Sequence, residues 1–286
     1  MKNNLLVSFC FVGIIFISLA SVFSSWIFSH SPYAIYEDFL TLPPFWMDGG
    51  SLQFPLGTDD LGRDLMIRLL YGGKISLLVG GVVMIMSLVF GLIFGMVAAV
   101  SKRAAPWIMG MVDIFMSFPG ILIAIVVVAI LGPGLFNACL AASLMCLPLM
   151  IRLVRSLALR EMGLPYVESS RSFGAGTPRL VVFHILPNCL GEISVQSVLN
   201  FSEGILTVAA LSFLGLGAEP PLPEWGVMIS DGRAYIQNAW WLICFPGLCL
   251  LVLVLCVNII GERLRDFFDP RLSSQSGSSD PIGKFA

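Results

Sequence analysis

The sequence predicts an all-α integral membrane protein with six transmembrane helices. Two observations predict it. Of the 286 residues, 57% are hydrophobic and 12% are charged, whereas soluble domains carry about 25% charged residues. The apolar residues are also gathered into six runs, each about the 20 residues that cross a hydrocarbon core as a helix. They lie at 5–28, 75–100, 107–131, 135–153, 190–214 and 239–260.

The run at 5–28 follows Lys2, and Ser18-Leu19-Ala20 resembles a signal-peptide cleavage site. The apolar stretch continues past that site to Phe28, so a retained anchor within a unit 1–29 is expected. Residues 30–72 form a polar segment. Within it, Thr58 to Asp64 reads as a capped turn entering the second span, since Thr can cap and acidic residues suit a first turn. Residues 73–262 form a five-helix core. Gly80-Gly81 and the pair Gly91 and Gly95 suit close helix packing. Pro119, Pro148 and Pro246 fall in or near apolar runs, where membrane helices tolerate proline. The fourth and fifth spans are joined by a loop at 156–188, whose stretch 166–187 is a long polar interruption. It reads as a short helix, a Gly174-Ala175-Gly176 break, and a second short helix opened by Thr177-Pro178. The tail 263–286 is Ser/Gly-rich after Leu272 and expected to be disordered there.

Orientation follows from the basic residues, which favour the cytoplasmic side. With both termini inside, 12 Lys and Arg are cytoplasmic and Arg63, Arg68, Lys74 and Arg233 are external. The stretch 166–187 is then cytoplasmic, and segments 30–73 and 215–238 are external.

No catalytic motif is present. A phosphate-binding loop needs GxxxxGK[ST]. The nearest stretch, Gly73-Lys74-Ile75-Ser76, has Arg68 where the first Gly belongs and Ile75 where Ser or Thr belongs. The seven Cys show no CxxC spacing and only His30 and His184 accompany them, so they read as small packing residues. No cofactor, metal or nucleic-acid partner is expected.

In the polar loop, Glu168-Ser169-Ser170, three residues, Gly174, nine residues and His184-Ile185-Leu186-Pro187 resemble the EAA loop of ABC importer permeases. That pattern is EAA, three residues, Gly, nine residues, I-x-L-P. Here Ser169 and Ser170 replace the two Ala, and His184 replaces the Ile, a change without a physical account at this level. Leu56-Gly57-Thr58-Asp59-Asp60-Leu61-Gly62-Arg63-Asp64 with Arg68-Leu69 resembles a segment of the peptide/nickel permease subfamily. Ala210 to Gly217 with Pro220-Pro221 and Pro223-Glu224-Trp225-Gly226, and Arg265-Asp266 with Asp269-Pro270-Arg271-Leu272, are similar to its other signatures. With Pro43-Pro44-Phe45-Trp46, the chain is most similar to the second (C-type) permease subunit of dipeptide and oligopeptide importers.

The resemblance implies an ABC importer type I permease (MetI-like) core with a cytoplasmic coupling helix, in a bacterial inner membrane. It implies a heterodimeric pore with a homologous second permease, two ABC ATPase subunits below, and a periplasmic substrate-binding protein that delivers peptide. Glu168, Ser169, Ser170, Gly174, Leu186 and Pro187 are then the ATPase-coupling residues. On the external side, Asp59, Asp60, Arg63, Asp64, Glu224 and Trp225 are candidates for docking the binding protein, the alternative being a self-contained cap with Arg63 paired locally.

The fifth span carries Glu192, Gln196, Asn200, Glu203 and Thr207 on one helical face, within roughly 80° of arc. Buried polar groups in a membrane face a cavity or a partner. Gln196, Asn200, Glu203 and Thr207 are candidates for the translocation path, with Glu203 meeting the ammonium end of a peptide. The other reading is hydrogen bonding between helices. Asp113 is expected to pair with Lys102 or Arg103. Two alternatives stay open: import of nickel or a metal chelate, and proton-coupled secondary transport through Glu192 and Glu203.

Overall fold

The structure, a computed structural model, describes residues 31–268 and, ahead of them, Gly13 and Leu19 alone. The expected first span at 5–28 and the tail after 268 lie outside the described residues. What is described is helical, with no strand among these residues beyond a single bridge between Thr58 and Asp64.

Residues 31–64 fold on themselves with one short helical turn, Glu37–Phe39. Phe54 is buried against the rings of Tyr36 and Phe39, at 5.2 and 5.4 Å. The Thr58 hydroxyl donates to the Phe39 carbonyl and accepts from the Leu42 N–H at 2.8 Å. Thr58 therefore pins the segment, and Asp64 is the residue that caps α1 (Leu65–Val100), accepting from the Met66 N–H at 2.8 Å. At 1.5 Å per residue α1 is about 54 Å long, so it projects well beyond a hydrocarbon core of about 30 Å.

The expected third span is not one helix. α2 (Ala105–Met116) and α3 (Gly120–Leu131) meet at a bend of 98°. Pro119 between them has no N–H to donate and disfavours helical geometry at Phe118. Hydropathy runs unbroken through this bend, whereas the backbone does not. α4 (Leu135–Met162) continues past the expected end of its span, so the loop after it starts later than residue 156. α5 (Pro165–Ser172) follows, then α6 (Thr177–Leu180). Gly176, not Thr177, holds the cap position of α6. A π-helical turn, Val181–Ile185, runs without a break into α7 (Leu186–Phe213), so Thr177–Phe213 is one long helical rod. α8 (Trp225–Gly232) and a short turn at Arg233–Tyr235 precede α9 (Trp241–Phe268).

Four described helices are long and apolar enough to cross a membrane, five if α2 and α3 together make one span. α7 sits among α1, α4 and α9. The α1–α4 approach is close because Gly91 and Gly95 face Met150 and Val154; a Cβ at Gly95 would lie 2.6 Å from Val154. Gly80 is likewise filled by Phe201, while Gly81 faces open space.

Three apolar clusters stack along the bundle. One, at the end bearing residues 31–64, joins Leu65, Leu69, Trp225, Trp241 and Leu253. The middle one joins Val79, Val83, Ala142 and Leu211. The third, at the opposite end, joins Val154, Leu157, Val167, Leu180, Ile185 and Ile193. That third cluster seats α5 on the bundle.

Candidate functional site

At the end that carries α5, the chain leaves α4 through Gly163 and an extended Leu164, and Pro165 opens α5. Val167 is fully buried in the third cluster. Glu168 and Ser169 face outward on the other side of this short amphipathic helix. The Ser170 and Ser172 hydroxyls bond back to the carbonyls of Tyr166 and Glu168, at 3.0 and 3.1 Å. Of the two Ser that replace Ala, Ser170 thus satisfies its hydroxyl within the helix, while Ser169 faces outward.

Gly174 stops α5. Its φ is +85°, its N–H donates to the Arg171 carbonyl at 2.9 Å, and the Ala175 N–H donates to Ser170 at 3.1 Å. This is a left-handed helix stop of the kind that glycine fills without strain. Beside it, Phe173 is 92% exposed, and Phe183 and Val182 are also open. Leu186 packs partly on the third cluster and Pro187 is exposed. Of the six expected coupling residues, Glu168, Ser169, Ser170 and Gly174 lie on α5 and its stop, while Leu186 and Pro187 open α7. The stretch is anchored on its inner side and offers carboxylate, hydroxyl and apolar groups on its outer side.

A polar cluster that the sequence reading missed lies under this loop. The Tyr166 hydroxyl donates to Glu161 Oε2 at 2.8 Å and accepts from Asn188 Nδ2 at 2.9 Å. The same Asn188 amide donates to the His184 carbonyl at 2.8 Å. Partial burial, and then the Glu161 carboxylate, raise the Tyr166 phenol above its ordinary value, so it remains a donor. Arg160 reaches Glu192 of α7 at 2.7 Å. A Tyr four residues after a helix end gives no sequence signal of this role, because its partners come from two other elements.

The polar face of α7 is divided. Asn200 is buried and donates to Ser87 Oγ of α1 at 3.0 Å, and Gln196 donates to Asn200 Oδ1 at 2.9 Å. Thr207 is buried beside Met145 of α4. Glu203 is exposed, as is Glu192. Four of the expected path residues thus separate into helix–helix contacts at Asn200 and Thr207, a half-buried link at Gln196, and one open carboxylate at Glu203. Asp113 pairs with Arg152 of α4 at 2.6 Å, not with Lys102 or Arg103.

At the opposite end, five of the six expected docking residues are buried: Asp59, Arg63, Asp64, Glu224 and Trp225. Asp59 accepts from Arg63 Nε at 2.6 Å, with Arg68 Nε at 3.4 Å. Arg68 also donates to the carbonyls of Pro32 and Pro221, both at 3.3 Å. Glu224 caps α8, accepting from the Val227 N–H at 3.1 Å; burial pushes its carboxyl above the usual range. What these residues build is an internal brace joining residues 31–64, α1 and the turn before α8. Of the six, Asp60 alone reaches the surface, and it is half-buried. Among the described residues no group of three His, Cys, Asp or Glu is placed to hold a metal.

Residues 87–274 match the family model of the binding-protein-dependent transport system inner membrane component. The chain is 45% identical over 266 residues to a di/tripeptide transport system permease protein of Pseudomonas aeruginosa, covering 92% of this chain and 88% of that one. It is 45% identical to the dipeptide transport system permease protein of Escherichia coli, covering 91% and 88%. Among solved structures, a chain of the inward-facing MetNI methionine ABC transporter shares the fold. Its TM-score is 0.60 at 21% identity, over 72% of this chain and 98% of that one.

Proposed function

Because this chain belongs to the family of binding-protein-dependent transport system inner membrane components, we propose that it forms half of the pore of an ATP-driven importer of dipeptides and short oligopeptides. Relatives at 45% identity carry di- and tripeptide names, which supports peptide over nickel as cargo. The chain has no phosphate-binding loop of its own, so hydrolysis falls to two separate ATPase subunits. A homologous second permease completes the path, and a periplasmic binding protein loads it. Both termini are cytoplasmic, with the anchor 1–29 and segment 30–72 preceding the five-helix core 73–262.

The observation that carries this reading is the outward face of α5. Glu168, Ser169 and Phe173 are exposed on a helix seated by Val167 and stopped by Gly174. An ATPase cleft that closes on ATP moves this helix, and the rod from Thr177 to Phe213 carries the motion into the membrane. Glu203 is the path residue that meets the peptide ammonium, with Gln196, Asn200 and Thr207 holding α7 behind it. The binding protein meets the outer segment through exposed Glu37, Asp38 and Asp48 and half-buried Asp60, while Asp59, Arg63, Asp64, Glu224 and Trp225 hold that surface in shape.

The test is co-purification. The ATPase subunits are expected to purify with the wild-type chain and with Glu203→Gln, and to be lost when Glu168→Ala and Gly174→Val are combined. Retention of the ATPase by that double variant would remove the coupling role from this loop.

A further inference from the structure

α5 is joined to the bundle by two soft links. One is Gly163 with extended Leu164, and the other is Gly174 to Gly176. Glycine links transmit force poorly because they rotate freely, and the buried contact of Val167 is apolar and non-directional. The directional attachment is the Tyr166 hydroxyl. Its ring belongs to the first turn of α5, its proton goes to Glu161 in the last turn of α4, and its oxygen accepts from Asn188 in the first turn of α7. One oxygen therefore touches three elements at once.

We propose that Tyr166 is the positioning residue through which movement of α5 reaches the spans, with Glu161 and Asn188 as its two seats. The proposal rests on the reading of α5 as the ATPase contact. A tyrosine suits the task because its rigid ring has only two side-chain torsions to lose. The backbone on the far side is also specialised. Val181–Ile185 is a π turn, a rare geometry concentrated at functional sites. The His184 carbonyl in that turn accepts from Asn188 and lies 3.4 Å from the Tyr166 hydroxyl. What the network uses at position 184 is the backbone oxygen; the His184 side chain takes no part in it, and its Nδ1 is buried without a hydrogen-bond partner.

The test uses the full transporter in vesicles, with the partner permease, the ATPase subunits and the binding protein, supplied with labelled alanyl-alanine. The readout is ATP hydrolysed per dipeptide delivered. Tyr166→Phe keeps the ring and removes the hydroxyl. It is expected to leave the ATPase bound and to raise that ratio by about fivefold, the scale of one lost hydrogen bond. Asn188→Ala is expected to do the same, and the double variant to be no worse than either alone. Glu161→Gln, which still accepts, keeps the wild-type ratio, and Glu161→Ala raises it. A residue that only supported folding would lower yield and leave the ratio unchanged. An unchanged ratio in Tyr166→Phe, or additive effects with Asn188→Ala, overturns the proposal. If Tyr166→Phe fails to assemble, Asn188→Ala decides by the same ratio. Loss of ATPase from the wild-type complex would instead strike the reading of α5 itself.

Discussion

The Trp225 indole N–H donates to the Leu69 carbonyl at 2.9 Å, joining parts of the chain 156 residues apart. Trp225 is 2% exposed and packs so closely on α1 that a Cβ at Gly72 would lie 2.5 Å from its ring. The contact fixes the turn before α8 against the outer half of α1. Trp225→Ala should cost about 3–5 kcal/mol, the range for deleting a buried large aromatic. Trp225→Phe should cost less, since it keeps most of the ring and loses one hydrogen bond. Thermal unfolding in detergent reads both; equal melting points for the two variants would show that the ring is not packed as described.

The Glu224 carboxyl supplies a pH test. Its folded value is raised from the usual 4.5, first by burial. A raised carboxyl contributes stability that is full below the unfolded value and is lost as pH rises through the folded value. The wild type should therefore gain melting temperature relative to Glu224→Gln as pH falls from neutral toward the unfolded value. A constant difference between the two across that window would show that Glu224 is not buried as a carboxyl.

Phe173, at 92% exposure, is an apolar ring that none of the described residues covers. Phe173→Ala should leave unfolding unchanged within about 0.5 kcal/mol. It should weaken association with the ATPase subunit by at least about 2 kcal/mol, as expected of an aromatic anchor. Titration of ATPase subunits onto the reconstituted permease pair measures the loss.

Asn200 and Glu203 should separate stability from transport. Asn200→Leu removes the bond to Ser87 Oγ, which keeps its own bond to the Met84 carbonyl, and takes the acceptor from Gln196. The cost is about 1 kcal/mol for each lost hydrogen bond, seen in unfolding. Glu203→Gln should leave unfolding unchanged and lower dipeptide uptake at equal expression. Uptake equal to wild type in Glu203→Gln would remove its path role.

The polar stretch 166–187 was legible as two short helices around a glycine break, because Gly174 stops the first by local chemistry. The face of α7 was legible only in part. At 100° per residue, Glu192, Glu203, Gln196, Thr207 and Asn200 sit at about 0, 20, 40, 60 and 80°. The structure opens the low end of that arc and buries the high end, a division set by where α1 and α4 press. The bend at Pro119 was hidden because hydropathy is continuous across it. In sequence, Asp59, Arg63 and Glu224 suit a surface because charge suggests water, and Asp59 with Arg63 equally suits a self-contained cap, the pairing found in the fold. Their burial depends on Arg68 and Trp225 arriving from elsewhere in the fold, which spacing does not reveal. The hydroxyl bonds of Tyr166 are hidden in the sequence for the same reason.

The proposed drive of this pore is force received at α5 from a separate ATPase. The most direct measurement is labelled dipeptide accumulation in vesicles holding the full transporter. One set is supplied with ATP and no proton gradient, the other with a proton gradient and no ATP. Accumulation with ATP alone, abolished by combining Glu168→Ala and Gly174→Val, is the expected result. Accumulation driven by the proton gradient without ATP, undiminished by those substitutions, would contradict it.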